Sequence, residues 1–261
     1  MTPKSTAFSI WAVIFLAEGL FTILQWIAPY RSKAHNHVQF YFVAACLFQA
    51  AWTIAFSYEV FWLSLLFMIG IWVSLLGVVW RQKTISVTDV WWLGFPFQLH
   101  FAWITAAAAL NVNVLAIDAG ASSAIQLAIA ILTLSVLFIS LIWSLFGVST
   151  PSYTVAAVMA WATWWISLEL QSPKPLILQT FSTDIIQGVE YASLMISITA
   201  VVMTAGVVVV AAIQGLVKYD AEITSLAGRT IVVSANDPGE DTDTAHTSHS
   251  TAASETTCGA A

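Results

Sequence analysis

Seven runs of about twenty apolar residues constrain this chain more than any other feature of its sequence. They cover approximately residues 8–28, 38–57, 60–80, 90–116, 121–146, 152–170 and 185–217. At about 1.5 Å per residue, a helix of this length crosses the roughly 30 Å hydrocarbon core of a bilayer. A mean hydropathy of +0.84 and a charged fraction of 8% lie well outside the range of soluble domains. We therefore predict an all-α, polytopic membrane bundle of seven transmembrane helices in an integral, multi-pass protein.

The distribution of basic residues predicts how this bundle is oriented. With seven spans, the first, third and fifth loops and the C-terminus lie on one side of the membrane. That side holds six of the eight basic residues, namely Arg31, Lys33, Arg81, Lys83, Lys218 and Arg229. Because cytoplasmic loops are enriched in Lys and Arg, we expect the N-terminus outside and the C-terminus inside.

The composition changes abruptly near residue 234. Residues 1–233 form the predicted transmembrane domain, and residues 234–261 are acidic, rich in Ser and Thr and almost free of large apolar side chains. Such a segment cannot bury a core, so we predict that this tail is disordered. The tail also carries much of the net charge of −6. No basic surface indicates a nucleic-acid partner, and the expected surroundings are the lipid bilayer.

Two ionisable residues lie deep inside predicted spans. Glu18 and His100 each lie about ten residues, or roughly 15 Å, from the start of a span, near the membrane midplane. The two helices begin on opposite faces of the membrane, so both side chains reach the same depth. A charge facing lipid there is costly, so each needs a partner, a cavity or a ligand. Each of the two residues has two alternative interpretations. The first is structural, a hydrogen-bonded pair between packed helices, and the second is functional, a ligand-binding or proton site.

Further polar and aromatic residues share helix faces with these two. Trp11 and Gln25 align with Glu18 on the first span, and Trp103 and Asn111 accompany His100 on the fourth. We predict that these residues face one interior pocket with Glu18 and His100. A second tier of candidates comprises Glu190, Trp161 and Trp165.

Two stretches of the chain resemble a known family. Pro96-Phe97 followed by Trp103-Ile104-Thr105 and Asn111 resembles the fourth-helix motif of the bacterial tryptophan-rich sensory proteins, distant relatives within the TspO/MBR family. The start Phe8-Ser9-Ile10-Trp11, followed by Gln25, is similar to the opening helix of that family. The resemblance extends loosely over residues 7–215. His100 stands where the motif has Tyr, and Glu18 where it has an apolar residue. The resemblance implies tetrapyrrole, sterol or related lipid ligands and a sensory or transport-linked role.

The composition supports a binding function in its own right. Thirteen tryptophans offer aromatic faces suited to stacking on a flat apolar ligand, although packing bulk explains any single one equally well. The chain shows no H-E-x-x-H, G-x-S-x-G or phosphate-loop motif and no metal-ligand spacing, so we expect neither an enzyme nor a metal protein.

The predicted function is the binding of a small amphipathic ligand, with a tetrapyrrole or sterol as the candidate. One alternative is a pigment-binding or scaffolding subunit of a larger membrane complex, with His100 as a chlorophyll or haem ligand. The other is a proton-coupled transporter that uses Glu18 and Glu190. The candidate protein partners are a second copy of the chain, in a homo-oligomer, and a membrane complex.

Overall fold

The computed structural model describes residues 3–82, 85–86 and 89–235, with side chains up to residue 218, and all regular structure in these ranges is helical. A 3₁₀ turn, Ser5–Ser9, precedes the first α-helix, and a π-helical turn, Val90–Gly94, leads into the fifth. The α-helices are α1 Ile10–Leu24, α2 Ala28–His37, α3 Gln39–Ser57, α4 Phe61–Arg81, α5 Phe95–Asp118, α6 Ser123–Phe146, α7 Tyr153–Gln171, α8 Pro175–Thr180 and α9 Thr183–Ala235.

The helix at the centre of the bundle is α5, which packs against α1, α4, α6 and α7. Its buried residues extend from Pro96 to Ala116 and occupy all its faces, as expected of a helix that is apolar all round. A run of alanines at residues 106–109 lets neighbouring backbones approach closely, which is how helices associate in membranes. A polar side chain on α5 is therefore enclosed by protein rather than by lipid.

Two apolar clusters flank α5. The first, centred on Trp103, joins α5 to α6 and α7, and the second, centred on Phe97, joins α5 to α3 and α4. The indole of Trp11 packs against both clusters. The N-terminal helix thus closes the bundle over the middle of α5.

Helices α3 and α4 approach each other closely because of two glycines. A Cβ added at Gly70 would lie 2.8 Å from the ring of Phe48, and one at Gly77 would lie 2.7 Å from the ring of Tyr41. The two glycines are seven residues apart and share one face of α4. The rings of α3 fill the spaces that these missing side chains leave.

Short polar signals define the helix boundaries. Residue Gly120, with a φ of +67°, follows the end of α5 in the left-handed conformation that glycine adopts without strain. Ser122 accepts a hydrogen bond from the backbone of Ile125 at the start of α6, and Ser152 accepts one from Val155 at the start of α7. Each serine satisfies a backbone donor that the first turn leaves open.

The predicted helical membrane bundle is confirmed in its coarser form. Within the described residues, six helical segments are long and apolar enough to cross a bilayer: Ser5–Leu24, Gln39–Ser57, Phe61–Arg81, Val90–Asp118, Ser123–Phe146 and Thr183–Lys218. The remaining predicted span, at residues 152–170, is present as helix α7, but its three tryptophans and Glu169 lower its mean hydropathy and it is not among the six. Two short helices, α2 and α8, were not predicted, because neither contains an apolar run long enough to form a span.

The last helix is longer than its apolar run, since α9 extends from Thr183 to Ala235. The chain divides into two compact units, Met1–Val210 and Ala211–Ala261. The first unit contains the bundle and the beginning of α9, and in the second unit α9 continues to its end. Of the predicted disordered tail, Ser234 and Ala235 are the last two residues of α9, and residues 236–261 lie outside the described part of the chain.

Candidate functional site

Glu18 of α1 and His100 of α5 form a buried pair. The distance between Glu18 Oε1 and His100 Nδ1 is 2.7 Å. The two residues are 7% and 3% exposed, respectively. The predicted meeting of the two side chains is therefore observed as a direct contact. A bond this short between buried groups is typical of a charge-assisted hydrogen bond.

This contact determines how the imidazole is presented. When Glu18 is ionised it can only accept, so the Nδ1–H of His100 donates to it. In the neutral imidazole, Nε2 then carries the lone pair and is the free acceptor. The carboxylate also fixes the orientation of the ring, as it does for histidines in many binding sites. The pair thus holds one nitrogen, Nε2, in a defined direction inside the bundle.

Aromatic rings surround the pair, and Trp11 contacts each of the others. The Trp11 ring lies 5.6 Å from the imidazole of His100 and 6.3 Å from the indole of Trp103, both edge to face. It stacks on Trp52 of α3 at a centroid distance of 6.2 Å. Trp103 is fully buried, whereas Trp11 and Trp52 are partly exposed. We call Trp11, Trp52, His100 and Trp103 the aromatic cluster.

Several buried polar atoms in and beside this cluster have no hydrogen-bond partner within the described part of the chain. They are His100 Nε2, Trp52 Nε1, Trp103 Nε1 and, one turn before Trp52 on α3, Gln49 Oε1. Most buried polar atoms in proteins are paired, and leaving one unpaired costs about 1–3 kcal/mol. Three such atoms around one indole therefore indicate a place where something else supplies the partners.

Two of the predicted pocket residues lie elsewhere, which corrects the sequence-based pocket. Asn111 exchanges hydrogen bonds with Ser64 of α4, with distances of 3.1 and 3.3 Å, and lies about 16 Å from His100 along α5. Gln25 follows the last residue of α1, about 10 Å beyond Glu18. Both residues share a helix face with the pair, but the rise of the helix separates them from it. Asn111 instead joins α4 to α5.

The second-tier residues also contact other parts of the protein. The Trp161 indole donates to the backbone oxygen of Ala7 at 3.1 Å, and the backbone oxygen of Trp165 accepts from Lys4 at 3.2 Å. These two tryptophans of α7 therefore hold the N-terminal segment, and their rings contact each other at 5.4 Å. Glu190 is half-buried on α9, one turn before Ser193.

Sequence reasoning missed Trp52 and Gln49 as members of the site. Both lie on α3, which has no charged residue and no histidine, so its sequence offers only a weaker signal for this face. The available signal was the recurrence of Gln49, Trp52 and Thr53 at helical spacing on an otherwise apolar helix. Among the described residues, no three His, Cys, Asp or Glu side chains are grouped so that they could hold a metal ion.

Two cavities lie away from the pair, against α6 and α9. The smaller has a volume of about 60 Å³ and is bordered by Asn113 and Gln126. The larger is an open groove of about 640 Å³ between α6 and α9, bordered mainly by apolar side chains such as Phe138 and Met195. Neither is bordered by Glu18 or His100.

A separate polar cluster joins α2 to the segment before α5. Lys33 donates to both carboxylate oxygens of Asp89 at 2.9 and 2.7 Å, Ser86 donates to Asp89 at 2.6 Å, and the Trp92 indole donates at 3.0 Å. These donors, the Lys33 ammonium foremost, lower the pKa of Asp89 to about 2. The contact places the first and third inter-span loops at the same end of the bundle, consistent with an alternating arrangement of the first four spans.

Comparison with known proteins gives one match. The sequence pattern of the family described as "TSPO-like protein" matches residues 1–213, which covers the apolar helices and the entire aromatic cluster. No curated protein and no solved structure matches the chain.

Proposed function

The chain belongs to the TSPO-like protein family, and on this basis we propose that it binds a small amphipathic ligand within its helix bundle, at the Glu18–His100 pair and the aromatic cluster. The role of this binding is sensory or linked to transport. The ligand is a tetrapyrrole, a sterol or a related lipid, as the sequence resemblance implies. The chain acts as a binding protein rather than an enzyme.

One observation carries this proposal: His100 Nε2 is buried, held in direction by Glu18, and without a partner in the described part of the chain. A purely structural histidine between two helices would be expected to use both ring nitrogens, because an unpaired one is costly in an apolar interior. The indoles around it supply the apolar faces that a ring-shaped ligand requires. The partial exposure of Trp11 and Trp52 gives the ligand a route from the lipid.

Titration with protoporphyrin IX tests the proposal, with tryptophan fluorescence quenching as the signal. The Glu18→Gln change keeps an acceptor for His100 Nδ1 but removes the negative charge. The His100→Gln change removes the imidazole. Because the Gln amide can still donate or accept a hydrogen bond at either position, we expect both changes to weaken binding about tenfold or more while altering thermal stability much less than apolar replacements would.

Asn111→Ala is the matched control, because it removes a buried polar side chain of the same helix outside the site. It should lower stability and leave the affinity of the folded fraction unchanged. If all three variants bind as the wild type does, the ligand does not occupy this site.

The pigment-binding alternative draws on the same unpartnered Nε2, since a buried histidine nitrogen is also a ligand for the metal of a haem or chlorophyll. The absorption spectrum of the protein purified from its own membrane separates the two functions. A pigment band that is lost in His100→Gln would favour the pigment-binding subunit.

We further propose that α7 is a seventh span, with the N-terminus outside and the C-terminus inside. Buried residues of α7 extend from Val155 to Leu170, about 22 Å along the helix, and α7 packs against α5 and α6. A helix buried over this length beside two spans shares their depth. Single cysteines at Ser32 and Ser172 should be labelled from opposite sides of the membrane, and labelling from the same side would contradict seven spans.

A further inference from the structure

The smaller cavity and the open groove between α6 and α9 are continuous, because Leu127 of α6 and Ile185 and Val189 of α9 border both of them. The smaller cavity lies at helix ends: the last two turns of α5 and the last turn of α7, the first two turns of α6 and α9, and α8 border it. The groove then follows α6 to Phe138 and α9 to Thr199. Since α6 and the beginning of α9 are both apolar enough to cross a membrane, the groove opens towards lipid.

The length of the groove matches one leaflet of a bilayer. Along α6 the rise from Leu127 to Phe138 is about 17 Å, and along α9 the rise from Ile185 to Thr199 is about 21 Å. Half of the hydrocarbon core is roughly 15 Å thick. Because both helices begin at the end of the groove that meets the smaller cavity, the groove extends from near the membrane surface to about the midplane. A linear acyl chain of one leaflet has this length and direction.

The two parts of this space differ in polarity. The border of the groove is apolar apart from Ser135 and Thr199, and the Ser135 hydroxyl already donates to a backbone oxygen of its own helix at 2.9 Å. The border of the smaller cavity includes Asn113, Gln126 and Thr180. None of the described residues that border either part is charged. An ionised group would therefore have no countercharge in an apolar surrounding, which favours a neutral polar end on the ligand.

The side chain of Gln126 can recognise such an end. Its Nε2 donates to the backbone oxygen of Ala121 at 2.8 Å, and within the described part of the chain its Oε1 accepts no hydrogen bond. A hydroxyl can donate to this oxygen. The smaller cavity has a volume of about 60 Å³, and at about 10–15 Å³ for each water-sized group it holds roughly four to six of them. A glycerol group is of this size, whereas a phosphocholine group is larger.

We propose that the smaller cavity and the groove together bind a monoacylglycerol, a single acyl chain with a neutral glycerol end. The glycerol group lies in the smaller cavity, where one of its hydroxyls donates to Gln126 Oε1. The acyl chain lies along the groove against apolar side chains such as Phe138 and Met195. Neither Glu18 nor His100 borders this site, so the inference does not depend on the proposed function.

Photolabelling of the full-length wild-type protein in phosphatidylcholine nanodiscs tests this site. The reagent is 1-monooleoylglycerol with a diazirine in its acyl chain, and labelled peptides are identified by mass spectrometry after irradiation. We expect labels within residues 127–138 and 185–199 that an excess of unlabelled 1-monooleoylglycerol removes. Two competitors keep the chain but change its end: oleate is ionised, and methyl oleate lacks the glycerol hydroxyls. Both should compete about tenfold or more weakly than 1-monooleoylglycerol.

Gly188→Phe and Gly206→Phe form a matched pair of variants. The two glycines are eighteen residues apart on one face of α9, and a Cβ added at either would meet no atom within 4 Å. Gly188 borders the groove and Gly206 does not. Phenylalanine at residue 188 should reduce labelling about tenfold, the loss expected when about two methylenes of the chain are displaced. Gly206→Phe should label as the wild type does. Replacing a helical glycine at an open position favours the helix, so both variants should fold.

Gln126→Leu tests the position of the glycerol end. The change keeps the approximate size of the side chain and removes its carbonyl oxygen, so 1-monooleoylglycerol and methyl oleate should compete nearly equally for the variant. Ser135→Ala is the control, because it removes a hydroxyl of the groove that is already bonded within α6. It should retain the wild-type preference for 1-monooleoylglycerol.

Five results would overturn the inference. Labelling spread over all lipid-facing helices and insensitive to competitor would indicate contact with bulk lipid only. Competition by oleate or methyl oleate equal to that of 1-monooleoylglycerol would show that a neutral glycerol end is not recognised. Unchanged labelling in Gly188→Phe would place the chain outside the groove, and an unchanged preference in Gln126→Leu would place the glycerol end elsewhere. A dimeric protein whose groove stays unlabelled would show that a second copy of the chain covers the groove.

Discussion

The energetic coupling between Glu18 and His100 can be measured with a double-mutant cycle. The variants are Glu18→Leu, His100→Phe and the two together, which replace the hydrogen-bonded pair by apolar side chains of similar size. Glu18→Leu leaves Nδ1 of a 3% exposed histidine without a partner, and such a group costs about 1–3 kcal/mol. His100→Phe leaves a buried carboxyl group unpaired, for which about 3–5 kcal/mol is typical when the charge is retained.

The double variant should cost much less than the sum of the two single changes. It leaves neither group unpaired, and apolar replacement of a buried pair is often close to neutral. The two single costs sum to at least about 4 kcal/mol, so a double variant close to neutral implies a coupling of about 4 kcal/mol or more between the two positions. In a protein of this size about 4 kcal/mol corresponds to a difference of roughly 8–16 °C in Tm between the observed double variant and the additive expectation.

The assay is thermal denaturation in one detergent, with the surviving fraction measured by size-exclusion chromatography. The control is the cycle of Glu18→Leu with Ser64→Ala, whose native partner is Asn111. Those two positions share no contact, so their effects should add within about 0.5 kcal/mol. Additive effects for Glu18 and His100 would show that the 2.7 Å contact contributes no stability, and the reasoning from burial would then be refuted.

Two further predictions concern packing and pH. Trp103→Ala removes a fully buried indole and should destabilise the protein by about 3–5 kcal/mol in the same denaturation assay. The control is Trp91→Ala, at a side chain that is 77% exposed, and it should change stability by less than about 0.5 kcal/mol. Because the pKa of Asp89 is lowered from 3.8 to about 2, its contact with Lys33 stabilises the fold fully above about pH 4 and is lost as the pH falls through about 2. The Tm difference between wild type and Asp89→Asn should therefore be constant near neutral pH and shrink as the pH falls from about 4 to about 2, and a difference that is undiminished at pH 2 would contradict this assignment.

The apolar runs alone determined where most helices lie and how deep their polar residues are. Six predicted spans coincide with helices of matching position, because the length of an apolar run and the bilayer thickness together fix a span. Depth along a helix is a linear function of residue number, so the expected equal depth of Glu18 and His100 followed from counting residues from each membrane face. No knowledge of neighbouring helices was required for that step.

Only the tertiary structure decided which side chains become neighbours around the pair. Trp52 joins the site from α3 because its ring stacks on Trp11 of α1, a contact between helices that the sequence of α3 does not indicate. Asn111 belongs to a different contact because α4 presents Ser64 at its level. The packing of α7 was also decided by the tertiary structure, since the apolar run at residues 152–170 predicts a span but does not indicate that its buried face packs on α5 and α6. Hydropathy measures each residue's preference for lipid over water, whereas the identity of a partner depends on how neighbouring helices are placed and rotated about their axes.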